Sequence, residues 1–304
     1  MAWHRVETLF GKDNLQRLAQ ARVGVVGLGS GGGFVALSLA MSGVGGFVLF
    51  DDDILEEGNV MRHVCDRRHV GQNKATAVAE LIKARNPKAD VRAIEARLEA
   101  DSDALDGLDL LIVAVDGENA KYRINELCLK RNLTALYAGV YERGEGGDVV
   151  VIRPYDGPCY ACWSEEVRGG ALVRLNETTQ ELDYGMIGQD GTLEAEPGLW
   201  THVTKVASVQ TDLALNELLK GTNVSEDMPA NTIILANNYI EIVDGQMSQP
   251  HTGLWVSIER DPNCLVCGER MRLTDASKNT LSLDDLMSEG DAIFEELQSK
   301  DNPE

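Results

Sequence analysis

The sequence predicts an α/β fold: a Rossmann-like, mainly parallel sheet with an antiparallel extension. Three observations lead there. Short β-branched runs alternate with segments of helical periodicity. The apolar runs are too continuous for a sheet with one wet face, so helices should cover both sides. A glycine-rich turn, with Gly27, Gly29 and Gly32 spaced as G-x-G-x-x-G, joins the first such strand to a helix.

The elements follow in order. Residues 1–20 form an N-terminal helical arm. "ARVGVVGLGSGGG" is strand then tight turn, and "FVALSLAMSGV" has the spacing of a helix. "GGFVLFDDD" is the next buried strand, ending in Asp51, Asp52 and Asp53. "KATAVAELIKARNP" is a helix stopped at Pro87, because proline cannot continue the hydrogen-bond ladder. "LDLLIVAVD" is a third buried strand with Asp116 at its carboxyl end, and "ENAKYRINELCLKRN" is a helix. "LTALYAGV" and "GDVVVIRP" are further strands. From Trp163 to Pro197 the pattern lapses into a long polar connection. "THVTKVASVQTDLALNELLKG" returns to a helix, and "TIILANNYIEIVDG" and "GLWVSIE" supply the antiparallel portion. The main domain is expected over residues 21–270, with an acidic tail over 271–304.

Composition narrows the activity. The formal charge is −21, which disfavours binding to a nucleic-acid backbone. The amino-terminal segment lacks the apolar run of a secretory signal, and nothing suggests a membrane span, so a soluble cytoplasmic protein is expected. Four of the six cysteines form two C-x-x-C pairs, Cys159 with Cys162 and Cys264 with Cys267. Two pairs point to a tetrahedral structural zinc site, whereas a redox role would need only one.

The glycine turn offers backbone N–H groups and a helix N-terminus to a phosphate. The acids at the end of the second strand, Asp51 first and Asp53 beside it, are candidates for the nucleotide, Asp51 through ribose hydroxyls. Downstream, "NVMRHVCDRRHVGQNKA" carries Asn59, Arg62 and Lys74. Two cations suit a triphosphate better than a dinucleotide, and Asp116 could hold Mg²⁺ between phosphates. These residues describe an ATP site rather than a nicotinamide site.

The segments "RVGVVGLGSGG", "LFDDDILEEGNVMRH", "VGQNKA", "ARNP", "AVD" and "GPCYACW…PNCLVCG" resemble, in order, those of the ThiF/MoeB-like family of ubiquitin-activating-type adenylyltransferases. The resemblance implies that Asp51 contacts the ribose, that Asn59, Arg62 and Lys74 reach the phosphates, and that Asp116 is associated with magnesium. It also implies that Arg5 enters a neighbouring subunit's site in a homodimer. The implied activity adenylates the C-terminal glycine of a ubiquitin-like or sulfur-carrier protein. His63 departs from the pattern, since many members have glutamine there, and the spacing after Asp116 is looser than usual.

Family members that pass the protein on as a thioester or persulfide place a cysteine after the first C-x-x-C; residues 163–202 contain none. The expected product is therefore an acyl-adenylate, released or handed to a thiol-bearing carrier, with Cys65 as the reserve in-chain nucleophile and Cys128 a core residue. Alternatives are a peptide or small-molecule carboxylate or amide as substrate, and a non-catalytic binding scaffold. The acidic tail reads either as a helix packed on its own domain or as a docking segment for a basic partner.

Overall fold

The computed structural model describes residues 3–168, 198–243 and 246–268. The acidic tail and most of the long polar connection lie outside them. The chain divides into two compact units, Met1–Arg260 and Asp261–Glu304, each described by itself.

In the first unit, α1 (His4–Phe10) and α2 (Lys12–Gln20) precede β1 (Arg22–Val26), α3 (Ser30–Met41) and β2 (Gly46–Phe50). Next come α4 (Lys74–Arg85), β3 (Asp90–Ile94), β4 (Leu110–Val113), α5 (Glu118–Arg131), β5 (Ala135–Val140) and β6 (Gly146–Ile152). Then follow α6 (Tyr160–Arg168), α7 (Trp200–Leu218), β7 (Thr232–Ala236), a β8–β9 ribbon (Ile240–Val243 and Gln246–Ser248) and β10 (Thr252–Val256). The main sheet runs β10-β7-β6-β5-β4-β1-β2-β3. From β3 through β5 every pairing is parallel, and β6, β7 and β10 add on antiparallel.

Strand residues alternate between two apolar cores. Val23, Val25, Phe47, Leu49 and Ile112 join Leu18, Val35, Leu39, Val78, Ile82 and Ala214 on one face. Val26, Val48, Phe50, Leu111 and Val113 join Leu98, Ile124, Cys128, Tyr160 and Trp163 on the other. The order of connection reverses between β1 and β4, so a crevice opens at their carboxyl ends.

Two expectations need correction. The polar stretch taken as connection from Trp163 begins as helix: α6 continues to Arg168, burying Cys162, Trp163 and Ser164 while Glu165 and Glu166 face solvent. The segment "TIILANNYIEIV" is two strands, because Asn237 and Asn238 both donate backbone N–H to the Glu145 carbonyl and bend the chain after β7. The edge strand β3 went unread, since its half-exposed "DVRAI" lacks a continuous apolar run.

Candidate active site

The glycine turn is shaped by its neighbours. Gly27 has φ +84°, and a Cβ there would lie 2.7 Å from the Ala114 carbonyl. A Cβ on Gly32 would lie 1.8 Å from the Gly27 carbonyl, so only glycine lets α3 close on β1. At Gly29 a Cβ would meet nothing within 4 Å. The turn is therefore open where the second glycine of such a motif faces a phosphate. No side chain caps the N-terminus of α3, which leaves its first N–H groups to an anion.

Asp51 has a structural duty. Its carboxylate accepts the Leu28 N–H at 2.5 Å and the Asp53 N–H at 2.9 Å. It is buried, and burial raises its pKa against the pull of those N–H groups and of Lys74. Asp51 thus ties the glycine turn to the end of β2, and the acids after it, Asp52 and Asp53, are both exposed.

Asn73 accepts the N–H groups of Ala75 and Thr76 as the N-cap of α4, and its side-chain amide donates to the Asp51 carbonyl. That cap sets Lys74 at the first helical position, where its ammonium meets the Asp53 carboxylate at 2.5 Å. Asn73 was legible as a cap in the sequence, since asparagine before a helical run is a start signal. Asn59 bonds through its side-chain oxygen to the Glu56 N–H at 3.0 Å, closing the 3-10 stretch Glu57–Arg62. Arg62 ends that stretch half-buried, and Asp116 is exposed just beyond β4. Gly27, Gly29, Gly32, Asp51, Asp53 and Lys74 are thus brought together at the β1 and β2 ends. Arg5 is exposed on α1. The next helix, α2, touches the amino ends of β1 and β2 and the end of α7, the edge opposite the glycine turn.

His63 takes part in the turn as well. Its Nε2 lies 2.6 Å from the Leu28 carbonyl, and its Nδ1 accepts the Cys65 N–H at 3.0 Å. Only the neutral ring with its proton on Nε2 can do both. Burial lowers the pKa of His63 from its ordinary 6.5, against the opposing pull of the Leu28 carbonyl. The unfolded chain then takes up a proton before the folded one. The stability due to neutral His63 is complete above about 6.5 and is lost as pH falls from there through the folded pKa. Melting temperatures from pH 7.5 to 5 should therefore fall more steeply for wild type than for His63→Gln. Parallel curves would remove His63 as the source.

The cysteines separate into two groups. Cys65 is 1% exposed, and burial, with Asp66 and Glu80, pushes its thiol up to about 12. That overturns its standing as reserve nucleophile: a buried thiol that stays protonated neither reaches nor attacks an adenylate. Cys128 is equally buried in the second core, its thiol also pushed to about 12 by burial. Cys159 and Cys162 hold their sulfurs 3.8 Å apart. Tetrahedral zinc with Zn–S near 2.3 Å requires an S···S edge of about 3.8 Å. In the second unit, Cys264 accepts the Val266 N–H on its sulfur at 3.4 Å, and its carbonyl accepts the Gly268 N–H at 2.8 Å. An N–H aimed at sulfur favours the thiolate a metal needs. Cys159 and Cys162 in the first unit, and Cys264 and Cys267 in the second, are the two pairs of the expected four-thiolate set.

The ThiF family matches residues 4–265. The chain belongs to the ThiF family. A SAMP-activating enzyme E1 of Haloferax volcanii is 32% identical over 63% of this ThiF-family chain and 71% of its own. The sulfur carrier protein ThiS adenylyltransferase of Escherichia coli is 27% identical over 84% of this chain and 89% of its own. A ubiquitin-like modifier-activating enzyme 5 of Drosophila ananassae is 30% identical, and the match spans only 41% of it. The relatives are thus named as adenylyltransferases and activating enzymes. Among solved structures, E. coli MccB crystallised with ATP superposes with a TM-score of 0.61 at 20% identity, covering 85% of this chain and 71% of that one. At that identity the likeness concerns the fold. Among the described residues, no helix is long and apolar enough to cross a membrane.

Proposed function

We propose that this ThiF-family protein uses ATP to adenylate the C-terminal glycine carboxylate of a ubiquitin-like or sulfur-carrier protein. The observation that carries the reading is the open turn at Gly29, held to β2 by Asp51, with Lys74 set at the start of α4 beside it. The names of the Haloferax volcanii and E. coli relatives favour a protein acceptor. The MccB neighbour, crystallised with the peptide MccA as well as with ATP, keeps a peptide acceptor as the second reading.

In this reading the N–H groups of the turn and of α3 bind phosphate oxygens. Asp51, whose carboxylate keeps acceptor capacity beyond the two turn N–H groups, takes the ribose hydroxyls, with Asp53 beside it. Asn59, Arg62 and Lys74 offset charge on the phosphates while the acceptor carboxylate attacks the α-phosphorus and pyrophosphate leaves. Asp116 would hold Mg²⁺, which would supply neutralising charge to the phosphates. No side-chain nucleophile takes part. Arg5, exposed on α1, would complete the site of a second copy in a homodimer. Cys159, Cys162, Cys264 and Cys267 would hold one structural zinc ion.

The test is ATP–pyrophosphate exchange with small glycine-tailed proteins and with peptides from the same source. Exchange that depends on a glycine-tailed protein is the expected result. Peptide-dependent exchange would favour the second reading, and none with any acceptor would leave a binding scaffold. Intact mass after the reaction should show no covalent adduct on this chain. A reductant-sensitive adduct would sink the account of its thiols.

A further inference from the structure

Next to Asp116 in the chain begins a partly buried ionic cluster that the sequence motifs do not include, with Lys121 and Asp148 buried and Glu118 and Arg168 partly exposed. Asp116 and Gly117 lead directly into α5, whose first residue is Glu118. The Glu118 carboxylate receives Lys121 Nζ at 3.0 Å, the Tyr160 hydroxyl at 2.8 Å and the Arg168 guanidinium. Lys121 is 4% exposed. Arg168 also reaches Asp148 on β6 at 3.5 Å, and its guanidinium lies 5.0 Å from the centre of the Trp163 ring. One turn further along α5, the buried Asn125 accepts the Tyr160 N–H at 3.0 Å. The ring of Tyr160 stacks on Tyr137 at 4.5 Å.

Two cations and two carboxylates from α5, α6 and β6 thus balance one another. Burying such a set is costly and seldom adds net stability, yet removing one member leaves an uncompensated charge. What the arrangement supplies is a single geometry. It joins the first turn of α5 to α6, and in the chain Tyr160 directly follows Cys159 and precedes Cys162 by two residues. The start of α5 is therefore held from the first cysteine pair, and Asp116 lies two residues before that start.

We propose that Glu118, Tyr160 and Arg168 are positioning residues that fix Asp116 for its metal through the first turn of α5. The inference rests on the nucleotide-site reading above. It implies that loosening the clamp impairs metal binding and spares the nucleotide, whose contacts lie at β1, β2 and α4.

The experiment uses the full chain with two probes, ATP in EDTA and Mn²⁺ added to the protein–ATP complex, with free Mn²⁺ followed by electron paramagnetic resonance. Glu118→Gln keeps the shape and removes the charge, and it should weaken Mn²⁺ binding about tenfold, the effect of one charge-assisted contact. Tyr160→Phe, the gentler variant, should weaken it about threefold. ATP affinity in EDTA should stay within about twofold of wild type, the size of a contact left in place. Unchanged Mn²⁺ affinity in a folded variant, or equal loss of metal and nucleotide binding, would overturn the positioning role. A wild-type chain that binds no ATP would instead overturn the nucleotide reading, and this inference with it.

Discussion

Alanine at Asp116 or at Arg62 will slow acyl-adenylate formation about 10²–10³-fold, the usual effect of removing one preorganised group that meets charge developing in a transition state. Both positions lie outside the two apolar cores, Asp116 exposed and Arg62 half-buried. Melting temperatures should therefore change little, and the loss should appear in kcat with the fold intact. ATP–pyrophosphate exchange with the cognate acceptor is the measurement. Near-normal exchange in either folded variant would take that residue out of the site. The same variants test the second copy: mixing Arg5→Ala with Asp116→Ala chains should recover part of the activity, because a hybrid dimer keeps one composite site intact. No recovery, together with a fully active monomer, would confine Arg5 to its own chain.

Loss of zinc should have the largest effect on stability. Elemental analysis should find about one ion per chain for a four-thiolate site. Cys264→Ser, or prolonged chelation, should lower the melting temperature by about 6 °C or more, since structural zinc contributes several kcal/mol and a domain of this size shifts roughly 2–4 °C per kcal/mol. Nucleotide binding should survive at temperatures where the variant remains folded. Metal-free protein with an unchanged melting curve would leave the four thiols without that role.

The parallel half of the sheet was legible because each of its central strands is buried on both faces and reads as a β-branched run. β3 escaped for the opposite reason. It is an edge strand, with Asp90 and Arg92 breaking the apolar pattern. α6 escaped because its outer face carries Glu165 and Glu166 inside a stretch that reads as loop. At the site, the glycine spacing and the Asn73–Lys74 helix start could be read directly. The hydrogen bonds by which Asp51 ties the turn to β2 could not. Two acids two residues apart look alike in a sequence, and only the Leu28 and Asp53 N–H groups assign the first to the turn. Cys65 was misleading in the same way: Asp66, Arg67 and Arg68 beside it suggest an exposed reactive loop, whereas its thiol turns inward to 1% exposure. The Glu118–Arg168 cluster was invisible because its members lie 50 residues apart in the chain.

The charges that hid β3 have a consequence for how the molecule meets extended chains. Asp90 pairs with Arg22 at 3.4 Å and Arg92 with Asp101 at 2.6 Å, so this border of the sheet is lined with committed ions. An open strand so furnished resists annexation by a foreign strand, because the newcomer would have to strip water from those ions without replacing it. Along β3 that desolvation cost, rather than any lack of open backbone groups, stands against such pairing.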